Sequence, residues 1–360
     1  MKHIIQFCLL FGLSSSICAQ SAAKTENIVI ITLDGMRWQE IFGGADEVLI
    51  NDTVYNHDPK GLKEKFWAVT PEERRTKLFP FLWTTIASEG QLYGNRKFDN
   101  KIDNANPYWF SYPGYNEIFT GYPDTAVNSN DKILNTNENV MEFIDKQKGY
   151  TDKVAAFTTW GAFPYILNSK RSGIYVNSDV DTLSFSSPAL QLINDMQFLS
   201  TRPLGVRPDV LTYIAGREYL KAYHPKLLYI AFDETDDFAH GGAYDQYIGS
   251  AHAEDAMIGD LWKTLQSIPQ YKDKTTMIIT CDHGRGDKLK SNWKHHGSKI
   301  EDSHQIWLAV IGPDTKPLGE IKTSGQLYQK QIAASIAQLL GFTFSANHPV
   351  AEPILSLYKK

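Results

Sequence analysis

Thr275-Thr276-Met277-Ile278-Ile279-Thr280-Cys281-Asp282-His283-Gly284 carries an apolar, β-branched run straight into a carboxylate, an imidazole and a glycine. The first part has the length and composition of a buried strand. The last part, taken alone, is an ordinary polar turn. Its weight comes from repetition. Asn27-Ile28-Val29-Ile30-Ile31-Thr32-Leu33 is a second apolar run, and it ends in Asp34-Gly35. Lys226-Leu227-Leu228-Tyr229-Ile230-Ala231-Phe232 is a third, ending in Asp233-Glu234-Thr235-Asp236-Asp237-Phe238-Ala239-His240. Strands that are apolar on both faces belong to parallel sheets covered on both sides.

Working outward, residues 153–158 and 306–311 read as further strands. Residues 78–88, 209–223, 244–268 and 327–340 read as helices. Ser111-Tyr112-Pro113-Gly114-Tyr115 opens a short helix that Gly121 closes, with serine as its expected N-cap and proline tolerated in its first turn. Strands alternating with helices predict an α/β fold with a mostly parallel central sheet and helices on both faces. Residues 43–77 are polar and irregular, and residues 161–205 show no clear period. Both are read as insertions that form a cap. Residues 124–139, rich in Asn and Asp, read as loop.

Met1-Lys2-His3 is followed by a short apolar run, and Ser14-Ser15-Ser16-Ile17-Cys18-Ala19 offers small residues for cleavage. This is the pattern of a secretory signal peptide, residues 1–19, too short to span a bilayer. The expectation is an exported chain, periplasmic or secreted, with one domain over residues 20–360 and no membrane span. A lipoprotein anchor at Cys18 fits less well, because Ile17 is bulky. Cys281 is the only cysteine beyond the signal, so no internal disulfide is possible and a buried thiol is expected. The formal net charge is −5 with no basic run, which argues against nucleic acid as a partner.

In an open α/β sheet, ligands bind beyond the carboxyl ends of the strands. Asp34, Asp236 with His240, and Asp282 with His283 are therefore delivered to one rim. Asp236 and His240 are four apart and share a helical face. His296, in Lys294-His295-His296-Gly297, precedes the last core strand. Each of these residues has a bland reading as turn, cap or surface side chain. Left unpaired together they would cost several kcal/mol of desolvation and repulsion, which cations would relieve. Mixed imidazole and carboxylate donors suit Zn2+ first, with Mn2+ or Mg2+ as alternatives. Six such groups exceed one tetrahedral ion and fit two divalent ions about 4 Å apart.

This ordered set resembles the alkaline phosphatase superfamily over most of the chain, and within it the nucleotide pyrophosphatase/phosphodiesterase branch. The matching pieces are Leu33-Asp34-Gly35, the residues from Ser111 through Thr120-Gly121, Asp236 with His240, Asp282-His283-Gly284 and His296-Gly297. The resemblance implies one metal held by Asp236, His240 and His296. It implies a second held by Asp34, Asp282, His283 and the Ser111 oxygen, with Ser111 as nucleophile. It also implies an asparagine on a phosphate oxygen, for which Asn130 is the best match and Asn128 the next. Tyr112 and Gly114 depart from the Phe and Asn more usual beside the nucleophile. Position 115 is Tyr where sulfatases carry Arg, which disfavours a sulfatase.

The implied activity is metal-dependent hydrolysis of a small-molecule phosphate ester, a phosphodiester first, through phospho-Ser111. A phosphomonoesterase of the same superfamily is the alternative, and a non-catalytic binding module for glycans or phosphate esters is the rival of another class. Enzymes specialised for monoesters add cations beside the metals. Arg37, Arg285, Lys294 and Lys299 lie near the motifs, none in a telling spacing. Tyr55, Trp67, Phe163, Tyr165 and Tyr175, in the two insertions, are expected either to stack on a substrate or to pack under the insertions.

Overall fold

Among residues 24–184 and 188–358, which the computed structural model describes, the strands are β1 Asn27–Leu33, β2 Gln91–Tyr93, β3 Asn100–Asp103, β4 Val154–Thr158, β5 Tyr175–Ser178, β6 Leu227–Phe232, β7 Thr275–Thr280, β8 Leu308–Ile311, β9 Gly319–Glu320 and β10 Gly325–Tyr328. The expected signal peptide, residues 1–19, lies outside the described residues. An eight-stranded sheet runs in the order β5-β4-β6-β1-β7-β8-β2-β9, and β10 pairs with β3 in a small second sheet. Within the large sheet only β8 runs against its neighbours, antiparallel to β7 and β2. The mostly parallel α/β sheet expected from the sequence is the one that forms.

The register explains why three strand ends meet. Leu33 lies beside Phe232, and Thr32 beside Thr280, so β1, β6 and β7 leave the sheet level with one another. Every residue of these three strands is buried, as their largely apolar and β-branched sequences favour. The helix Ser111–Thr120 lies across this edge with all its residues buried, and Gly121 closes it at φ 69°. Gly114 makes the approach possible: a Cβ there would sit 2.4 Å from the Asp282 carbonyl oxygen.

Several local expectations change. Residues 43–77 are not irregular. They hold helices Pro59–Phe66 and Pro71–Leu78, each with proline in the first turn and a side-chain cap. Asp58 accepts from Gly61 N, and Thr70 forms a capping box with Glu73. These helices are stabilised at their ends by caps, so a search for apolar periodicity passes over them. Residues 161–205 contribute β5, an edge strand parallel to β4, so that stretch is partly sheet. Within the helix expected at 327–340, β10 takes the first residues and the helix runs Gln331–Leu339. Ser111 is not the cap of its helix: Phe110 occupies that position, and Ser111 is the first helical residue.

Candidate active site

His283 sits at the centre of the rim. Its Nε2 lies 3.4 Å from Asp34 Oδ1, 3.3 Å from Asp282 Oδ2, 3.8 Å from Asp236 Oδ1 and 3.4 Å from Ser111 Oγ. Its Nδ1 faces the Gly284 carbonyl at 3.0 Å. A carbonyl can only accept, so Nδ1 carries the proton and Nε2 presents a lone pair to the surrounding oxygens. Beside this group, His240 Nε2 lies 3.1 Å from Asp236 Oδ2 and 2.9 Å from His296 Nε2. The His296 ring stacks on His283 at 4.0 Å between centroids. Donor atoms of Asp236, His240 and His296 lie within 4.8 Å of one another, as do those of Asp34, Asp236 and His283, so the two clusters share Asp236.

The three aspartates follow one rule. Each has one oxygen held by the protein and the other turned into the site. Tyr115 OH donates to Asp34 Oδ2 at 2.8 Å, and Gly35 N donates to Asp282 Oδ1 at 3.0 Å. Arg285 Nη2 donates to Asp236 Oδ1. The remaining Asp34 Oδ1 and Asp282 Oδ2 are buried with no hydrogen-bond partner. Buried carboxylate oxygens left unpaired are costly, and here they converge with imidazole lone pairs. The donor set fits divalent cations: oxygens and nitrogens, preoriented by neighbours in the manner of metal ligands.

Electrostatics agree with that reading. Burial, then the charges of Asp282 and Asp236, push the Asp34 carboxyl well above its usual range. Burial raises Asp282 to about 7. Burial also opposes ionisation of Asp236, but the Arg285 guanidinium and the contact with His240 outweigh it and hold that carboxyl well below its usual range. Burial keeps the imidazoles neutral, lowering His283 to about 4 and His296 to about 2. Neutral imidazole is the form that ligates metal.

Ser111 is buried at the first turn of its helix, its hydroxyl directed at His283 rather than used as a cap. The capping comes from Asn130. Its Oδ1 accepts from Tyr112 N at 2.9 Å. Asn130 is exposed, as is Asn128. His295 is exposed and caps the turn Lys290–Lys294, and His304 packs its ring 5.0 Å from Trp109. The histidine brought to Asp236 is His296.

Two contributors, Tyr115 and Arg285, were not assigned their roles from sequence. Tyr115, four residues after Ser111 and so on the same helical face, was legible by that spacing. Arg285 follows the Asp282-His283 pair directly, but nothing in its position announces a partner forty-nine residues away in Asp236. Four of the five aromatic side chains named in the supposed insertions, all but Tyr165, have packing partners. Tyr55 meets Trp293, Trp67 lies under the Arg74 guanidinium, Phe163 is wedged against Tyr115 and Tyr229, and Tyr175 stacks on Tyr219.

The sequence model of the type I phosphodiesterase / nucleotide pyrophosphatase family matches residues 49–337. The chain belongs to this family. It is accordingly a phosphate ester hydrolase of the alkaline phosphatase superfamily, whose members are metal-dependent. Solved structures share the fold at low identity. The alkaline phosphatase PafA aligns with a TM-score of 0.62 and 10% identity, over 94% of this chain and 99% of that one. Murine ectonucleotide pyrophosphatase / phosphodiesterase 5, solved as an inactive variant with AMP, aligns at 0.53 and 13%, over 91% of this chain and 97% of that one. The lipoteichoic acid synthase LtaP from Listeria monocytogenes aligns at 0.55 and 14%, over 89% and 73%. No match was found among curated proteins. No helix of the described residues in this phosphodiesterase-family chain is long and apolar enough to cross a membrane.

Proposed function

We propose that this chain is an exported phosphodiesterase of small-molecule phosphate esters, with Ser111 as its nucleophile and two divalent ions, Zn2+ by donor chemistry, as its cofactors. The single observation behind this reading is the convergence of the Ser111 hydroxyl, the His283 lone pair and the partnerless Asp34 and Asp282 oxygens at a helix N-terminus. One ion would be held by Asp236, His240 and His296, the other by Asp34, Asp282, His283 and Ser111. When bound, the ions supply Lewis acidity and neutralise charge on the phosphoryl oxygens.

The chain's own residues do the rest. Ser111 Oγ attacks phosphorus in line with the leaving oxygen, the P–O bond of the ester breaks, the leaving oxygen departs as an alcohol that takes up the proton lost by the serine hydroxyl, and phospho-Ser111 forms. Water then cleaves the phosphoserine and restores the hydroxyl. The helix dipole favours the anion at this end. Tyr112 N is taken by Asn130, Pro113 has no N–H, and Gly114 N bonds the Phe110 carbonyl at 3.0 Å. The family resemblance gives the Asn130 amide nitrogen the part of a donor to a phosphate oxygen.

The state of the cations supports a diester over a monoester. Arg37 is buried against Glu40, and Arg285 is bound to Asp236. Lys299 is exposed, and Lys294 runs its stem along Gly242. No free buried cation, among the described residues, faces Ser111 to meet the extra charge of a monoester. The test is the ratio of kcat/KM for bis-p-nitrophenyl phosphate and p-nitrophenyl phosphate on Zn2+-loaded protein. A ratio above one is expected, and a strong monoester preference would establish the phosphomonoesterase alternative instead. Export belongs to the same reading: mass spectrometry of the secreted or periplasmic protein should show a chain starting at Gln20, and retention of residues 1–19 would refute it.

A further inference from the structure

Arg285 is almost completely buried and uses its whole guanidinium fork. Nε donates to Gly35 O at 3.1 Å, Nη1 to Lys294 O at 2.9 Å, and Nη2 to Asp236 O at 3.2 Å as well as to Asp236 Oδ1. The segments it joins each carry a candidate ligand: Asp34 precedes Gly35, His296 lies two residues past Lys294, Asp236 is bound directly, and Asp282-His283 leads into Arg285 itself. A single planar group thus ties the three strand ends to the loop that carries His296. Space has been kept for it. A Cβ on Gly35 would lie 2.8 Å from Arg285 Nε and 2.7 Å from Asp236 Oδ1, at a φ of +59° that side chains rarely adopt.

Asp236 is the residue the two clusters share, and it has two oxygens to distribute. Oδ1 lies 3.8 Å from both His283 Nε2 and His296 Nε2, while Oδ2 lies 3.1 Å from His240 Nε2. We infer that Arg285 is a positioning residue that occupies Asp236 Oδ1 and thereby commits this carboxylate, through Oδ2, to the ion of the His240–His296 pair alone. The second ion is then left with Asp34, Asp282 and His283. Lysine cannot reproduce this, since one ammonium cannot reach the Gly35, Lys294 and Asp236 acceptors in a fixed plane. The inference rests on the two-ion reading above.

The experiment titrates metal-free protein with Zn2+ against a chromophoric chelator, for wild type, R285Q and R285K. Two ions per wild-type chain are expected. R285Q should lose about 10- to 100-fold in affinity for one ion while the other binds as before, and R285K should lose several-fold at that same ion. The kcat of R285Q for bis-p-nitrophenyl phosphate should recover as Zn2+ is raised, which a purely structural lesion would not allow. Unchanged affinity at both ions in R285Q, or equal weakening of both, overturns the inference. If R285Q does not fold, R285K decides alone, and wild-type affinity at both its ions overturns it. A wild-type chain that takes up no Zn2+ refutes the two-ion reading and this inference with it, whereas two ions bound equally by all three proteins refute only the role of Arg285.

Discussion

A serine at a helix start is usually a cap, and Ser111 departs from that role for a visible reason. Phe110 holds the cap position, Asn130 satisfies the Tyr112 N–H, and the serine hydroxyl is left facing His283 Nε2. A side chain relieved of a local hydrogen bond is available for chemistry. Ser111→Ala is therefore expected to cut turnover of bis-p-nitrophenyl phosphate by about a thousandfold or more, because the attacking group is gone. Bound Zn2+, measured by atomic absorption, should fall by well under one ion, since Asp34, Asp282 and His283 remain. Near wild-type turnover would remove Ser111 from the mechanism. At this scale the candidate ligands were legible as residue types at strand ends. Tyr115, which holds Asp34, could be read from its spacing to Ser111, whereas the part of Arg285 in holding Asp236 could not, because a side chain's partner across the fold leaves no mark in local spacing.

At the level of elements, the site depends on how closely the helix Ser111–Thr120 can lie on the end of β7. Gly114 sets that distance, with its missing Cβ facing the Asp282 carbonyl. Gly114→Ala would force a methyl to 2.4 Å from that oxygen, so helix or strand end must shift. Overpacking of this kind costs about 1–3 kcal/mol. Thermal melts should show a drop of several degrees, and kcat should fall about tenfold or more, as Ser111 moves away from His283. A variant with wild-type melting temperature and kcat would show that the contact is slack. The two capped helices within residues 43–77 teach a related lesson. Their start signals, Asp58-Pro59 and Thr70-Pro71 with Glu73, are written in the sequence, but Pro71–Leu78 lacks the apolar stripe by which helices are usually recognised, and Pro59–Phe66 shows it only as Leu62 and Phe66. β5 was missed for a different reason: an edge strand of four residues carries too little pattern to stand out from loop.

Across the whole molecule, burial of acid groups sets a pH dependence of stability that extends beyond the site. Asp255, on the long helix Tyr244–Ser267, is buried and accepts from Phe81 N at 2.7 Å and Leu82 N at 3.0 Å. Burial outweighs those two donors and raises its carboxyl from 3.8 to about 7. Between these values the folded chain holds a proton that the unfolded chain releases, so this group's contribution to stability falls as pH rises from about 4 to about 7 and is level above. Asp255→Asn should flatten the dependence by up to about 1.4 kcal/mol per pH unit in that window, read from denaturant melts of metal-free protein. Parallel slopes for the two proteins would show that Asp255 is ionised in the fold. The sequence by itself determined that apolar runs alternate with helices, and hence a mostly parallel α/β sheet, because hydrophobic periodicity is a local property of the chain. It also determined which residues stand at the strand ends. Only the tertiary structure decided that β1, β6 and β7 lie side by side in matching register and that Arg285 closes the circle. Those outcomes depend on strand order and on contacts between segments far apart in the chain, which form only when the buried faces pack together.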